Sequence, residues 1–278
     1  MKLRLHSDPE AFARLARPLL DTDPVRHTIA LTALERVRSG ALAAPLMLTV
    51  HRREEVVGTA LRTDGHGVLV SALPTTCVTA VDAAAAQVDP APPGVNGPCD
   101  VAHAYAGAVT ARTGARVDVA MRLRLFRLVA LQPVRGVAGA ARPADPGDVE
   151  LLAAWNTAFA REALPSPARP DDPRPGIRAS LERGGLLVWE VDGHPVAYAG
   201  TRPPIAGMSR VGPVYTPPEH RGHGYGSAVT AATTSWALAA GARDVVLFTD
   251  LANPVSNVIY PRIGFRPVED AAELMFAD

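Results

Sequence analysis

The same order of elements occurs twice in this chain, and that repetition constrains its fold more than any single motif. Residues 8–20, DPEAFARLARPLL, place Asp8 and Pro9 ahead of apolar positions at helical spacing, so a capped helix opens there. Residues 145–159, DPGDVELLAAWNTAF, repeat that opening about 137 positions later. A hairpin follows each helix. LMLTVHRREEVVGTALRT (46–63) alternates into a polar turn and out again, and LLVWEVDGHPVAYAGTR (186–202) does so through Asp192-Gly193, a dipeptide suited to tight hairpin turns. A third strand is expected in GVLVSALP (67–74) and in SRVGPVYTPP (209–218), each followed by an alanine-rich helix. The Pro- and Gly-bearing stretch QPVRGVAGAARPADPGD (132–148) separates the copies, so two domains are expected, 1–135 and 136–278.

Composition narrows the function classes. A chain of 278 residues, 47% of them hydrophobic, can bury a substantial core. Its 28 basic and 28 acidic residues cancel, leaving no long-range field to draw it onto nucleic acid or an anionic membrane. No signal-like start and no membrane-length apolar run is present, so the cytosol is the expected location. Cys77 and Cys99 are too few and too far apart for a zinc box; buried thiols and no bound metal are expected.

The two copies differ in chemistry at one junction. Pro217 and Pro218 lack ladder donors, so a strand reaching Tyr215 or Thr216 must turn there. Arg221, Gly222, His223, Gly224, Tyr225, Gly226 and Ser227 then lead into a helix beginning near Tyr225. Glycines let successive N–H groups point one way, the helix start adds partial positive charge, and Arg221 adds a full one, which together suit phosphate oxygens. The first copy has TTCVTAVDAAAAQ (75–87) at this place, with no glycine in the turn.

Downstream, DVVLFTD (244–250) has the pattern of a buried strand, and LANPVSNVIYPRIGF (251–265) follows it. Asn253 suits an N-cap and Pro254 the first helical position. Asn253, Ser256, Asn257 and Tyr260 then fall on one face, a polar stripe beside the phosphate loop, with Val258, Ile259 and Ile263 on the core side.

The pair PEHRGHGYGSAVT and NPVSNVIYPRIGF resembles the two signature segments of the GCN5-related N-acetyltransferase superfamily. The first matches its R/Q-x-x-G-x-G/A acyl-CoA pyrophosphate loop through Arg221, Gly224 and Gly226; the second matches its asparagine- and tyrosine-bearing fourth helix. The resemblance covers about residues 143–278, and the whole chain resembles tandem members whose N-terminal copy has lost the cofactor loop.

It implies an α/β chain of the α+β type, two domains each with a mixed, mostly antiparallel sheet flanked by helices, and one working site. The cosubstrate would be acetyl-CoA and the acceptor a primary amine of a small molecule, attacking directly in a ternary complex of a monomer or homodimer. Val214, Tyr215 and Thr216 would hold the acyl carbonyl and pantetheine arm, with a bulge at Gly212-Pro213 splaying two strands. Asn253 and Asn257 would hold pantetheine amides, and Tyr260 would protonate the thiolate. For the base, Asp250 at a strand end and Glu190 on the second strand are the candidates; Glu219, His220 and His223 read as loop residues. Residues 163–180, an expected loop, with Trp189 and Tyr198, would wall the acceptor pocket. A non-catalytic acyl-CoA sensor, a different acyl donor and a mycothiol-synthase-like activity are the alternatives.

Overall fold

A computed structural model describes residues 1–163 and 172–277. The chain divides into two compact units, Met1–Arg124 with the C-terminal stretch from Glu269, and Leu125–Val268. In chain order the first unit contains β1 (Lys2–Leu5), α1 (Pro9–Leu20), α2 (Thr28–Arg38), β2 (Leu46–Arg52), β3 (Glu55–Arg62), β4 (Val68–Ala72), α3 (Val78–Ala85), β5 (Gly94–Pro98), α4 (Cys99–Thr113) and the start of β6 (Arg116–Leu128). The second contains β7 (Ala140–Pro143), α5 (Val149–Ala163), α6 (Arg174–Arg183), β8 (Leu186–Val191), β9 (His194–Gly200), β10 (Met208–Arg210), β11 (Val214–Tyr215), α7 (Tyr225–Ala239), β12 (Asp244–Asp250), α8 (Ser256–Arg262) and the start of β13 (Phe265–Ala277).

Local rules account for most of these elements. The Asp8 carboxylate accepts from the Glu10 and Ala11 amides at 3.0 and 3.2 Å and so caps α1, which buries Phe12, Ala13, Ala16 and Leu20 on one face. Asp145 and Asp148 form a reciprocal capping box before α5. The β8–β9 hairpin turns at Asp192 and Gly193, both in the left-handed region (φ 49° and 77°) as a two-residue turn of this kind requires.

The first unit is a mixed sheet in the order β1-β2-β3-β4-β5-β13, antiparallel throughout except that β4 and β5 run parallel. Its core joins the inward faces of β2, β4 and β5 to α3 and α4 through Leu46, Leu48, Val70, Val81, Val95 and Tyr105. In the second unit β11-β9-β8-β7 is an antiparallel sheet, against which α7 buries Val229 with Leu187, Ala197 and Ala199 and packs the partly buried Trp236. β10 lies parallel to β12.

Several expectations are revised. The stretch 132–148 is not purely connecting, because Ala140–Pro143 pairs with β8 from Ala140↔Glu190 to Pro143↔Leu187. Residues 174–180 of the expected loop are helical in α6, while 164–171 lie outside the described residues. The third strand of the second copy is two short pieces in different pairings. The C-terminal residues from Glu269 group with the first unit, where Ala271–Met275 pairs with β5.

Candidate functional site

The break at residues 211–213 builds the site. The Val211 amide donates to the Val246 carbonyl of β12 at 2.9 Å, whereas the next amide, Gly212, donates to the Gly200 carbonyl of β9 at 2.7 Å. Within one residue the backbone changes partner. β10 therefore stays with β12 (Met208↔Asp244, Arg210↔Val246), and β11 pairs with β9 (Val214↔Ala199, Tyr215↔Tyr198). The strands diverge as the resemblance implied, and β11 becomes the end strand of its sheet, with one edge of backbone groups unpaired by any strand among the described residues.

At the mouth of this divergence the chain passes Pro217 and Pro218 and enters α7. Gly222 and Gly224 both sit at φ 84°, a conformation other residues reach only with strain. Gly224 is the N-cap of α7 and no side chain caps the helix, so its first N–H groups have no partner from a capping residue. A Cβ on Gly226 would stand 3.3 Å from Thr216 Oγ1, and one on Gly224 would stand 2.9 Å from Val137 Cγ2. The rings of His223 and Tyr225 stack at 5.3 Å, and Ser227 in the first turn is half-buried.

Arg221 donates through Nε to the Thr216 carbonyl at 3.0 Å, pairs through Nη2 with Glu162 at 2.5 Å, and lies 5.9 Å from the Tyr215 ring centroid. Tyr215 in turn donates its hydroxyl proton to the other oxygen of Glu162 at 2.8 Å. Glu162, at the end of α5, escaped the sequence reading: nothing local marks it, and its partners are 53 and 59 residues away. The Arg221 guanidinium holds the Glu162 carboxyl below the usual range; burial, then the Glu162 hydrogen bond, push the Tyr215 phenol up.

Helix α8 starts at Ser256 and not at Pro254, yet Asn253 still caps, its Oδ1 accepting from the Val255 and Ser256 amides at 3.1 Å each. Asn257 donates through Nδ2 to the carbonyls of Asp250, Leu251 and Asn253 at 3.0, 3.3 and 2.8 Å, clamping the strand-to-helix turn. Among the described residues its buried Oδ1 has no partner, an acceptor that a ligand N–H would satisfy. Tyr260 is buried between Phe126 and Phe265, and burial pushes its phenol up to about 12, with a Ser256 hydrogen bond pulling the other way. Val258 was expected on the core side but is 48% exposed; Ile263 alone of the three is fully buried, because so short a helix turns only a narrow face inward.

The candidate bases have other partners. Asp250 Oδ1 accepts from the Ala252 amide at 2.8 Å, shaping the turn after β12. Glu190 pairs with Arg142 at 2.6 Å, and Arg142 also binds Asp148, tying β7 and β8 to the start of α5. Glu219 is exposed in the turn Pro218–His220. Tyr198, expected to wall a pocket, is 1% exposed and stacked on Trp155 at 6.0 Å, while Trp189 Nε1 donates to the Ala138 carbonyl at 2.8 Å. Among the described residues no group of three or more His, Cys, Asp or Glu could hold a metal, and no helix is long and apolar enough to cross a membrane.

Comparison with known proteins bears on this geometry. The family model described as Acetyltransferase (GNAT) family matches residues 150–265. No curated protein matches. Among solved structures, a GNAT-family acetyltransferase from Colwellia psychrerythraea superposes with TM-score 0.63 at 13% identity, covering 99% of each chain. A GCN5-related N-acetyltransferase from Sphaerobacter thermophilus gives 0.63 at 17%, covering 99% of this chain and 95% of its own. Another from Kribbella flavida gives 0.56 at 20%, covering 91% and 96%. At such identities the likeness establishes the fold over nearly the whole chain, and residues 150–265, which carry the split strand and the glycine-lined helix start, match the model of the GNAT acetyltransferase family.

Proposed function

We propose that the protein transfers the acetyl group of acetyl-CoA to a primary amine of a small molecule, in one site in the second unit. The observation that carries this is the uncapped start of α7, with two left-handed glycines, at the mouth of the divergence between β11 and β12. A pyrophosphate fits such a place, since side chains would fill the cradle and the helix start favours an anion. When bound, acetyl-CoA supplies an acyl thioester. The amides of Gly222, His223, Gly224, Tyr225, Gly226 and Ser227 would hold its diphosphate, and the free edge of Val214, Tyr215 and Thr216 its acyl arm. Asn257 Oδ1, without a donor among the described residues, would accept from a pantetheine amide, with Ser256 beside it on α8 and Asn253 in the turn before that helix.

Tyr260 keeps its proton at neutral pH, as a group that protonates a departing thiolate must, and its burial excludes water from that proton. The amine must lose a proton to attack. Asp250, at the C-terminal end of β12, is the proposed acceptor ahead of Glu190, which Arg142 holds. A cytosolic protein acting on a soluble amine as a monomer or homodimer completes the proposal.

The test is a screen of amine libraries for release of free CoA with product masses recorded, which identifies donor and acceptor together; absence of both CoA binding and CoA release would refute it. A second proposal, an acyl-CoA-binding module without turnover, draws on the engagement of both Asp250 and Glu190 in structural contacts. Such a module would bind acetyl-CoA and release none.

A further inference from the structure

Arg221, the one full positive charge at the cradle's signature positions, is not turned to an open anion site. Its guanidinium is held by the Glu162 carboxylate, by the Thr216 carbonyl and over the Tyr215 ring. Glu162 is itself fixed by the Tyr215 hydroxyl, and Tyr215 is fixed by pairing with Tyr198 in β9, so the carboxylate is anchored to the sheet and not merely passing. Both charged side chains are half exposed, 50% for Arg221 and 42% for Glu162. An ion pair in that setting is weak and screened, and is readily exchanged for a stronger anion. A diphosphate carries more charge than one carboxylate and gains the loop amides as well.

We propose that Glu162 is a positioning residue for the cradle: it occupies Arg221 as an internal stand-in for the cofactor's pyrophosphate and must be displaced when that pyrophosphate binds. The inference rests on the acyl-CoA site proposed above. Glu162 thereby sets the affinity of the loop without touching the cofactor. It also links the end of α5 to the state of the loop, since the carboxylate released by Arg221 keeps only its bond from Tyr215.

The test is calorimetric titration of the full chain with CoA for the wild type, Glu162→Gln, Arg221→Ala and the double variant. Glu162→Gln is expected to bind CoA about two- to fivefold more tightly, the range set by the exchange of one partly exposed ion pair. Arg221→Ala should bind more weakly, and Glu162→Gln should bring no gain in that background. Dephospho-CoA, which retains the pyrophosphate, should show the same gain as CoA; pantetheine, which lacks it, should show none. Glu162→Ala should reproduce the gain, separating it from any new contact made by the glutamine. A merely structural Glu162 would lower affinity on removal, opposite in sign. Unchanged or weaker CoA binding by both Glu162 variants, or a gain that persists without Arg221, overturns the inference while leaving the acyl-CoA site intact. Failure of the folded wild type to bind CoA overturns both.

Discussion

The junction after β4 in the first unit and the junction after β11 in the second stand at corresponding places in the repeated plan, and they differ in whether the sheet stays closed. In the first unit β4 and β5 pair directly, Val68↔Val95 and Leu69↔Asn96, and Gly97 lies so close to β4 that a Cβ would stand 2.7 Å from Val70 Cγ2. In the second, no ladder joins β11 to β12; the chain gives its hydrogen bonds to β12 up to Val211 and to β9 from Gly212. The helix starts differ in the same sense. α3 follows a turn Thr75–Cys77 without glycine, while α7 follows two glycines in the left-handed region. The second junction thus leaves backbone groups at the start of α7 and on β11 for the acyl-CoA proposed above, where the first junction pairs its strands.

This contrast can be broken at several points. Replacing Gly224 and Gly226 by valine is expected to weaken CoA binding by about two orders of magnitude or more, because side chains fill the cradle and a β-branched residue at φ 84° costs roughly 1–3 kcal/mol. Loss of the thermal shift produced by CoA is the measurement, and an undiminished shift would refute the assignment of the loop. Tyr260→Phe should reduce kcat about a hundredfold, the scale of one general acid, while CoA affinity is retained. A parallel loss of CoA binding would instead mark Tyr260 as purely structural.

The same class of substitution in the closed seam should act on folding. Gly97→Val forces apart Val70 and its own strand and is expected to cost about 1–3 kcal/mol by denaturant unfolding, with no effect on CoA binding. Asn257→Ala removes three donated hydrogen bonds and an orphan acceptor together; a stability loss of about 1–2 kcal/mol with weaker CoA binding is expected, and a change in stability alone would deny Asn257 its cofactor contact.

The smallest effect concerns pH. In the first unit Thr49 Oγ1 lies 2.8 Å from both His6 Nε2 and His51 Nε2, and burial first, then nearby positive charge, lowers the pKa of both histidines. The unfolded chain then binds more protons than the folded one as pH falls through 6.5, so stability is present above that value and is lost progressively below it. Unfolding curves between pH 7.5 and 5 should show this slope, and His51→Gln should flatten it.

Much of the local structure around the candidate site was legible because its signals are local. Asp192-Gly193 specifies its turn, Asp8 and Asn253 specify caps, and the spacing of Arg221, Gly224 and Gly226 needs nothing beyond the loop. β7 was concealed by prolines and glycines that an end strand tolerates, and Val258 was misplaced because α8 is too short for periodicity to fix its faces. Glu190 is held by Arg142, 48 residues away, which no local spacing reveals, whereas Asp250 is engaged by the Ala252 amide only two residues on.

By itself, the sequence determined the repeated order of helix, hairpin and strand, and the single glycine loop that distinguishes the copies, because capping, turn chemistry and left-handed backbone act within a few residues. Only the tertiary structure decided that β10 and β11 part company, that the last strand's end pairs with β5, and that Glu162 holds Arg221. Those are contacts between residues far apart in the chain, and which distant groups meet is settled by packing and by the competition among backbone donors for strand partners.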